Sequence, residues 1–502
     1  MEMQFLDNLA RGFGVAFQWV NLLYCLIGVL LGTLIGVLPG IGPTATIAML
    51  LPVTFGLSPI TAMIMLAGIY YGAQYGGSTT SILVNIPGEA ASVVTCLDGY
   101  QMARQGRAGP ALAVSAIGSF FAGCVATVVV AMFAPPLAGI ALKFGPAEYF
   151  ALMVFGLVAA TVLAHGSLLK AIAMVVLGLL LGLVGTDVSS GMMRFTLGIY
   201  ELADGIGFVG LAMGLFGIAE IISNLELKGS REVFTSKIGR LLPSREDFRR
   251  IWKPILRGTA FGSALGILPG GGALLASFAS YALEKKVSGH GDEFGKGAIE
   301  GVAAPESANN AAAQASFIPM LTLGIPSNVV MALMIGALMI QGIAPGPQVM
   351  KEMPQLFWGL VASMWIGNLM LVILNLPLIG IWVRLLTVPY RFLYPSILVF
   401  MAIGIFGVSN SPFDVLLMAI FGIVGIVFLK LECEPAPLIL GMVLGPMLEE
   451  NLRRALMISQ GNPSIFFTKP ISAGFLIAAL VLLVIVLAPA IRKKREEVFV
   501  ED

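Results

Sequence analysis

The chain has 502 residues, of which 58% are hydrophobic and only 11% are charged, and its formal net charge is +1. A soluble protein carries charge on about a quarter of its residues, so most of this chain's surface must face lipid. The balanced charge provides no basic surface for nucleic acid, and we expect no nucleic acid partner. The composition therefore predicts a polytopic membrane protein.

Apolar stretches long enough for membrane helices recur from the first, at about residues 15–38, to the last, at 471–490. The first stretch is too long for the hydrophobic part of a cleaved signal peptide, and the segment before it has no positive charge excess. Because one crossing takes about 20 apolar residues, we expect an all-α fold with about twelve transmembrane helices.

Basic residues are concentrated in two segments. Nine of the 29 lysines and arginines lie between residues 223 and 257, and Arg492–Arg495 follow the last apolar stretch. Loops rich in Lys and Arg stay in the cytoplasm. Both segments are therefore predicted to be cytoplasmic.

The sequence contains an internal repeat. Residues 32–42 read GTLIGVLPGIG and residues 262–272 read GSALGILPGGG, with six of eleven positions identical at an offset of 230. Two copies that each cross the membrane an odd number of times would be inverted, which is typical of secondary transporters. The predicted organisation is an N-terminal segment at 1–27, membrane repeats at 28–222 and 258–449, a basic connector at 223–257, and a last helix with a basic tail at 450–502.

Both repeats carry polar, Gly/Pro-rich stretches inside apolar sequence, which predict broken helices or re-entrant hairpins. Such backbone is tolerated at membrane depth only when it is buried in protein or lines a cavity. The alternative is that Gly and Pro only pack or kink helices. Helix N-termini favour anions, so we expect a carboxylate to bind at Pro39, Gly40, Gly42, Thr44, Gly76, Gly77, Ser78, Thr79, Thr80, Asn85, Pro87, Gly88, Gly270, Gly271, Gly272, Asn309, Pro326, Ser327 and Asn328.

The same stretches offer oxygen ligands for a coupling ion. Ser81, Glu306, Ser307 and Asn310 are the predicted Na⁺ ligands, because hydroxyl, amide and carboxylate oxygens suit a hard cation. Glu306 is an acid in an apolar segment, which is a functional hypothesis by default. It has three alternative roles: ligating Na⁺, carrying a coupling proton, or capping a helix that begins near Ser307. We expect no cofactor apart from Na⁺.

Signatures of energy-coupling or hydrolytic enzymes are missing from the sequence. Residues 289–296 read GHGDEFGK, which lacks the spacing and the hydroxyl residue of a phosphate-binding loop. There is also no HExxH zinc motif and no Gly-x-Ser-x-Gly nucleophile motif. We therefore expect no catalytic residue and no enzymatic activity.

The stretch from GVLPGIGPTATIAMLL to VNIPGE closely resembles the large membrane subunit of the bacterial tripartite tricarboxylate transporters, as do GILPGGG, APESANNAAAQASFIPMLTLGIPS and LGPMLEENLRRAL. The resemblance implies ion-driven uptake of citrate or other di- and tricarboxylates across the bacterial inner membrane. It also implies two partners, a periplasmic substrate-binding protein and a small membrane subunit of about four helices. The family motifs correspond here to Pro39–Thr44, Gly76–Ser81, Asn85–Gly88, Pro269–Gly272, Glu306–Asn310 and Pro326–Asn328.

One departure from the repeat pattern is visible. Residues 85–88 read NIPG, whereas residues 324–327 read GIPS. Serine lacks the φ freedom of glycine, so the symmetry of these two segments is in question.

These observations predict a multi-pass permease of a secondary active transporter, with an elevator motion by analogy to other two-hairpin carboxylate carriers. One alternative is a stand-alone ion-coupled carrier of organic anions that needs no binding protein. A second is an intramembrane enzyme with a polar core, and a third is a membrane scaffold without transport activity.

Overall fold

The computed structural model describes residues 2–38, 42–163, 167–187, 190–226, 241–268, 272–385 and 393–487. In these ranges the regular structure is helical apart from one short antiparallel pair of strands, β1 (Gly185–Thr186) and β2 (Met193–Arg194). The helices up to the connector are α1 (Glu2–Ala16), α2 (Trp19–Val37), α3 (Pro43–Thr54), α4 (Pro59–Val84), α5 (Val93–Thr95), α6 (Ala108–Ala141), α7 (Pro146–Leu163), α8 (Leu168–Gly182), α9 (Phe208–Ala212) and α10 (Ala219–Glu226).

The second half of the chain continues in the same way. Short 3₁₀ and π-helical segments join several of the helices, for example Cys96–Tyr100 before α6. The helices are α11 (Arg245–Leu265), α12 (Gly272–Val287), α13 (Glu300–Ala315), α14 (Phe317–Leu323), α15 (Val329–Ile340), α16 (Pro347–Glu352), α17 (Pro354–Asn375), α18 (Ile379–Leu385), α19 (Leu393–Ser409), α20 (Pro412–Lys430), α21 (Ala436–Ile458), α22 (Ile465–Thr468) and α23 (Pro470–Leu487).

The prediction of a helical multi-pass membrane protein is confirmed. Seven shorter apolar helices of 10–17 residues accompany the long ones, and large apolar side chains are exposed over much of the surface. The number of crossings, about twelve, stays a prediction. Within the described residues, four helical segments are long and apolar enough to cross a membrane: Trp19–Val37, Ala103–Ala141, Pro354–Asn375 and Pro412–Lys430.

Two helix pairs are packed closely through glycine, α2 on α4 and α11 on α13. A Cβ atom added at Gly28, Gly32 or Gly36 would lie 2.4 Å from a backbone carbonyl oxygen of α4. The counterparts 230 residues later do the same against α13, at 2.2–2.5 Å. The repeated glycines therefore have one shared role, which is to let two helix backbones touch. The contacts are Gly28–Met65, Gly32–Ile69 and Gly36–Ala73 in the first pair, and Gly258–Ala304, Gly262–Ala308 and Gly266–Ala312 in the second.

The helices of the two repeats also pack against each other. Helix α6 packs on α11 and α13, and α17 packs on α2 and α4. A long helix of each repeat therefore lies against the glycine-paired helices of the other repeat. The central core is built from both halves of the sequence. The inverted orientation of the two repeats in the membrane stays a prediction.

The predicted interruptions of the helices lie elsewhere than expected. Helix α4 runs unbroken through Gly76–Ser81, and α13 runs unbroken through Glu306–Asn310. The helices accommodate these polar residues because hydroxyl groups can bond back within the same helix, as Ser78 Oγ does to the Gln74 carbonyl (2.9 Å) and Ser307 Oγ to the Ala303 carbonyl (2.8 Å). The prediction of broken backbone in these two stretches is wrong.

The chain does reverse at the two segments that follow these helices. Asn85, with φ 58°, ends α4, and Gly324, with φ 71°, ends α14, both in the left-handed conformation of a helix C-terminus. Gly88 does not use the φ freedom of glycine. A Cβ atom at Gly88 would lie 2.2 Å from the Gly36 carbonyl oxygen, so its glycine is required by close packing.

Candidate functional site

A cavity of about 630 Å³ lies where several helices begin. Gly42, the N-cap residue of α3, lines it together with Gly272, the first residue of α12. Asn328, the N-cap residue of α15, and Ala436, the first residue of α21, line it as well. The first amides of a helix have no intrahelical acceptor and carry a partial positive charge. Four such N-termini around one cavity suit an anionic ligand.

Six of the predicted substrate-binding residues line this cavity. They come from four polar stretches, two in each repeat: the start of α3 and the segment after α4 in the first, and the starts of α12 and α15 in the second. The structure thus brings together stretches that are up to 286 residues apart in the sequence (42 to 328). These six residues are Gly42, Thr44, Pro87, Gly88, Gly272 and Asn328.

The other predicted residues lie around the cavity or away from it. Asn309 donates a hydrogen bond to the cavity residue Glu89 (2.8 Å), and Ser327 Oγ donates to the Ser316 carbonyl (3.3 Å). Asn85 is exposed at the end of α4. Gly76, Gly77, Ser78, Thr79 and Thr80 are buried inside α4, Pro326 is buried beside Ser327, and Pro39, Gly40, Gly270 and Gly271 lie outside the described residues.

Three glutamates also line the cavity, and the sequence analysis did not single them out. They are Glu89, Glu220 and Glu434. Glu89 accepts hydrogen bonds from the Ala91 amide (3.0 Å) and the Asn309 side chain, and Glu220 accepts one from the Gly42 amide (3.2 Å). Glu89 was recognisable, because an acid in an apolar segment is the signal that identified Glu306.

Glu306 is completely buried next to this cavity. Its carboxylate accepts hydrogen bonds from the hydroxyls of Ser78 on α4, Thr95 on α5 and Ser115 on α6, the last at 3.1 Å. Ser78 also contacts the carbonyl of Gln74, which lines the cavity. Glu306 is therefore bonded to a residue that lies one helical turn along α4 from the cavity residue Gln74. Capping of a helix near Ser307 is wrong as a role for Glu306, because α13 begins at Glu300.

Amide side chains continue from Glu306 along one face of α13. Asn310 and Gln314 follow at four-residue intervals, which places all three on the same side of the helix. The Asn310 amide nitrogen donates to Ser119 Oγ on α6 (2.7 Å). The amide oxygens of Asn310 and Gln314 are buried and have no hydrogen-bond partner among the described residues. These two oxygens are therefore free to accept a further hydrogen bond or to ligate a cation.

The predicted Na⁺ ligands do not all converge. Glu306 and Asn310 lie on the polar face just described, whereas Ser81 Oγ contacts Ser92 (3.0 Å) and Ser307 Oγ bonds within its own helix. No group of three or more His, Cys, Asp or Glu side chains that could hold a metal is found in the described part of the chain.

Several ion pairs lie close to the first half of α11. Arg250 contacts Glu300 (2.7 Å) and the exposed loop residue Glu293 (2.6 Å), and Arg257 pairs with Glu284, which is 1% exposed. The hydrogen bond from Arg250 lowers the pKa of Glu293 below its ordinary value. In contrast, the carboxylate of Glu306 accepts its hydrogen bonds from the hydroxyl groups of Ser78, Thr95 and Ser115.

Comparison with known proteins identifies the family. The model described as the "Tripartite tricarboxylate transporter TctA family" matches residues 22–440. The "Uncharacterized 52.8 kDa protein in TAR-I ttuC' 3'region" of Agrobacterium vitis is 62% identical over 500 residues, which is the full length of both chains. The "Uncharacterized protein in TAR-II ttuC' 3'region" of the same organism is 61% identical over 241 residues, which cover 48% of this chain and all of the relative. No solved structure matches this chain.

The family match extends over both glycine-paired helix sets, the cavity and Glu306. It includes the two stretches in which the sequence repeats itself and the beginnings of all four helices that open onto the cavity. This chain belongs to the tripartite tricarboxylate transporter TctA family, whose members are membrane components of transporters with further subunits.

Proposed function

We propose that this chain is the permease of a secondary active transporter that takes up di- or tricarboxylates, such as citrate, together with Na⁺. It works in the bacterial inner membrane. A periplasmic binding protein delivers the substrate, and a small membrane subunit of about four helices accompanies the permease. The family membership supports a transporter with several subunits. The ion, the substrate class and the two partners are the proposal.

The observation that carries this proposal is the cavity with four helix N-termini around it. A di- or tricarboxylate has negative charge at more than one end, so it needs donors from more than one direction. The starts of α3 and α12 belong to the first and the second copy of the repeat, and the starts of α15 and α21 add further donors. Each helix terminus contributes about 0.3–2 kcal/mol to the binding of an anion.

The glutamates in the cavity wall explain why a cation is needed. Ionised carboxylates at Glu89 and Glu220 in the wall, and at Glu306 close to it, would repel the substrate. A Na⁺ ion near Glu306 would reduce this repulsion, and the buried amide oxygens of Asn310 and Gln314 provide neutral ligands next to it. The anion then binds well only when the cation is present, which couples the two.

The proposed movement occurs at the contacts of α6 and α17 with the glycine-paired helices of the other repeat. The cavity-forming helices of each repeat would move as one body against α6 and α17, in an elevator motion. The close glycine contacts of α2 with α4 and of α11 with α13 would keep each moving pair rigid.

Uptake into proteoliposomes tests the proposed function. Vesicles that contain this chain and its small membrane subunit are given labelled citrate, with or without a periplasmic binding protein. We expect uptake that depends on an inward Na⁺ gradient and on the binding protein. Equal uptake with a proton gradient in the absence of Na⁺ would contradict the coupling ion. Uptake by the chain alone would favour a stand-alone carrier.

A further inference from the structure

An apolar groove lies on the surface between α6 and α11, and it shares no lining residue with the cavity. Its volume is about 310 Å³, and every residue that lines it is hydrophobic. Trp252 is 51% exposed and Phe248 is 46% exposed in this groove. The lining residues are Ile117 and Phe121 on α6 and Phe248, Ile251, Trp252, Ile255 and Leu256 on α11.

Basic side chains follow the groove along the first turns of α11. Arg245, Arg249 and Lys253 recur at four-residue intervals and are exposed, so they form one row beside the exposed Phe248 and Trp252. The Lys253 ammonium group lies 5.3 Å from the centre of the Trp252 ring. None of the three basic residues makes an ion pair with another described residue, whereas Arg250 and Arg257 on the same helix do. Glu246 is the exposed acid nearby, which leaves the row with an excess of positive charge.

We propose that this groove is a binding site for an anionic phospholipid. One acyl chain lies along Phe121, Trp252 and Leu256, and the phosphate lies at Arg249 and Lys253. Residues 245–257 of this helix belong to the basic connector, which is predicted to be cytoplasmic, and Trp and basic residues are enriched at the boundary between membrane and water. Basic pockets between helices on the cytoplasmic side of a membrane recognise anionic headgroups.

The combination of features selects this ligand over simpler ones. A soluble phosphate would satisfy the basic row but would not cover the apolar groove. An uncharged lipid would cover the groove but would leave Arg249 and Lys253 without a partner. A ligand with an acyl chain joined to an anionic headgroup satisfies both, because the two features lie side by side on one helix.

Lipid binding to the purified full-length protein tests the proposal. Binding of phosphatidylglycerol and phosphatidylcholine is measured in a non-ionic detergent by native mass spectrometry, and thermal unfolding is followed in parallel. We expect phosphatidylglycerol to bind at least several-fold more tightly than phosphatidylcholine. The variant Arg249→Gln with Lys253→Gln should lose about tenfold in affinity for phosphatidylglycerol. Lys143→Gln, an exposed lysine beyond the other end of α6, is the matched control and should bind as the wild type does.

Two further probes separate the lipid from other ligands. Glycerol 1-phosphate, which has the charge but no acyl chain, should give no thermal stabilisation. Leu256→Gln, which places a polar group in the groove, should weaken the binding of both lipids. Equal binding of the two lipids to the wild type, unchanged preference in the double variant, or stabilisation by glycerol 1-phosphate alone would overturn the proposal.

Discussion

The two repeats share their packing but differ in their polar side chains. In both, three glycines of one helix face backbone carbonyls of the helix after next at the same spacing. Around Glu306, however, the first repeat contributes hydroxyl groups, and the second contributes the acid itself and the amide of Asn310 on α13. The carboxylate of Glu306 is bonded by hydroxyls from the first repeat. The two repeats thus share the close packing of their helix backbones. They differ at a few polar positions, where hydroxyls of the first repeat bind the carboxylate of the second.

A second difference lies in the charges between the first two helices of each repeat. Arg257 on α11 pairs with Glu284 on α12. At the offset of 230, the first repeat has Ile27 and Thr54 at these positions, and Thr54 bonds to the Leu51 carbonyl within its own helix (2.6 Å). The first repeat thus packs without the ion pair, so the pair is not required by the shared architecture.

The largest expected effect follows from this ion pair. Arg257→Met should lower the free energy of unfolding by about 3 kcal/mol, because it leaves the buried carboxylate of Glu284 without its partner. Arg257→Met combined with Glu284→Leu should recover most of the loss, since the first repeat is stable with uncharged residues there. Denaturation in detergent micelles, followed by tryptophan fluorescence, measures both. A stable single variant, or no recovery in the double variant, would contradict this comparison.

The next effect tests the shared packing. Gly262→Ala places a Cβ atom 2.2 Å from the Ala308 carbonyl oxygen, and Gly32→Ala places one 2.4 Å from that of Ile69. Both variants should lose about 1–3 kcal/mol of stability in the same denaturation experiment. Gly139→Ala is the control, because no atom lies within 4 Å of its added Cβ. If Gly32→Ala and Gly262→Ala differed strongly, the two contacts would not be equivalent.

A smaller effect tests the hydrogen bonds between hydroxyls of the first repeat and Glu306 of the second. Ser78→Ala removes one of the three hydroxyl donors of Glu306 and should cost about 1–2 kcal/mol of stability. It should also weaken the dependence of uptake on Na⁺. Thr79→Ala is the matched variant, because Thr79 bonds only to the Tyr75 carbonyl in its own helix (3.4 Å). Equal behaviour of the two variants would show that the bond between Ser78 and Glu306 contributes nothing.

The smallest effect is a dependence of stability on pH. Arg250 lowers the pKa of Glu293, so the ionised carboxylate is favoured in the folded state. The resulting stabilisation is fully present above the ordinary pKa of the unfolded chain, about 4.5, and it is lost as the pH falls through the lowered pKa of the folded state. Because Glu293 is 49% exposed, the effect should stay below about 1 kcal/mol. The stability difference between wild type and Glu293→Gln should shrink below pH 4.5; a constant difference would contradict the ion pair.

The sequence located the helix starts at the cavity better than it located the surroundings of Glu306. The starts of α3, α12 and α15 were recognisable, because Gly and Pro are common at the ends of helices. The unbroken course of α4 and α13 was not recognisable, because a sequence does not reveal which polar side chains will bond back to their own helix. The partners Thr95 and Ser115 of Glu306 also could not be identified, since they depend on how α5 and α6 pack against α13.

The central claim is that a cation at Glu306 enables the cavity to hold a carboxylate. The most direct measurement is the Na⁺ dependence of citrate uptake in proteoliposomes that contain Glu306→Gln, compared with the wild type and with Glu352→Gln, an exposed control. We expect Glu306→Gln to be folded in the membrane but to lose both Na⁺ dependence and most of its transport, and Glu352→Gln to behave as the wild type does. Normal transport by Glu306→Gln with an unchanged Na⁺ dependence would contradict the claim and leave Glu306 with a structural role.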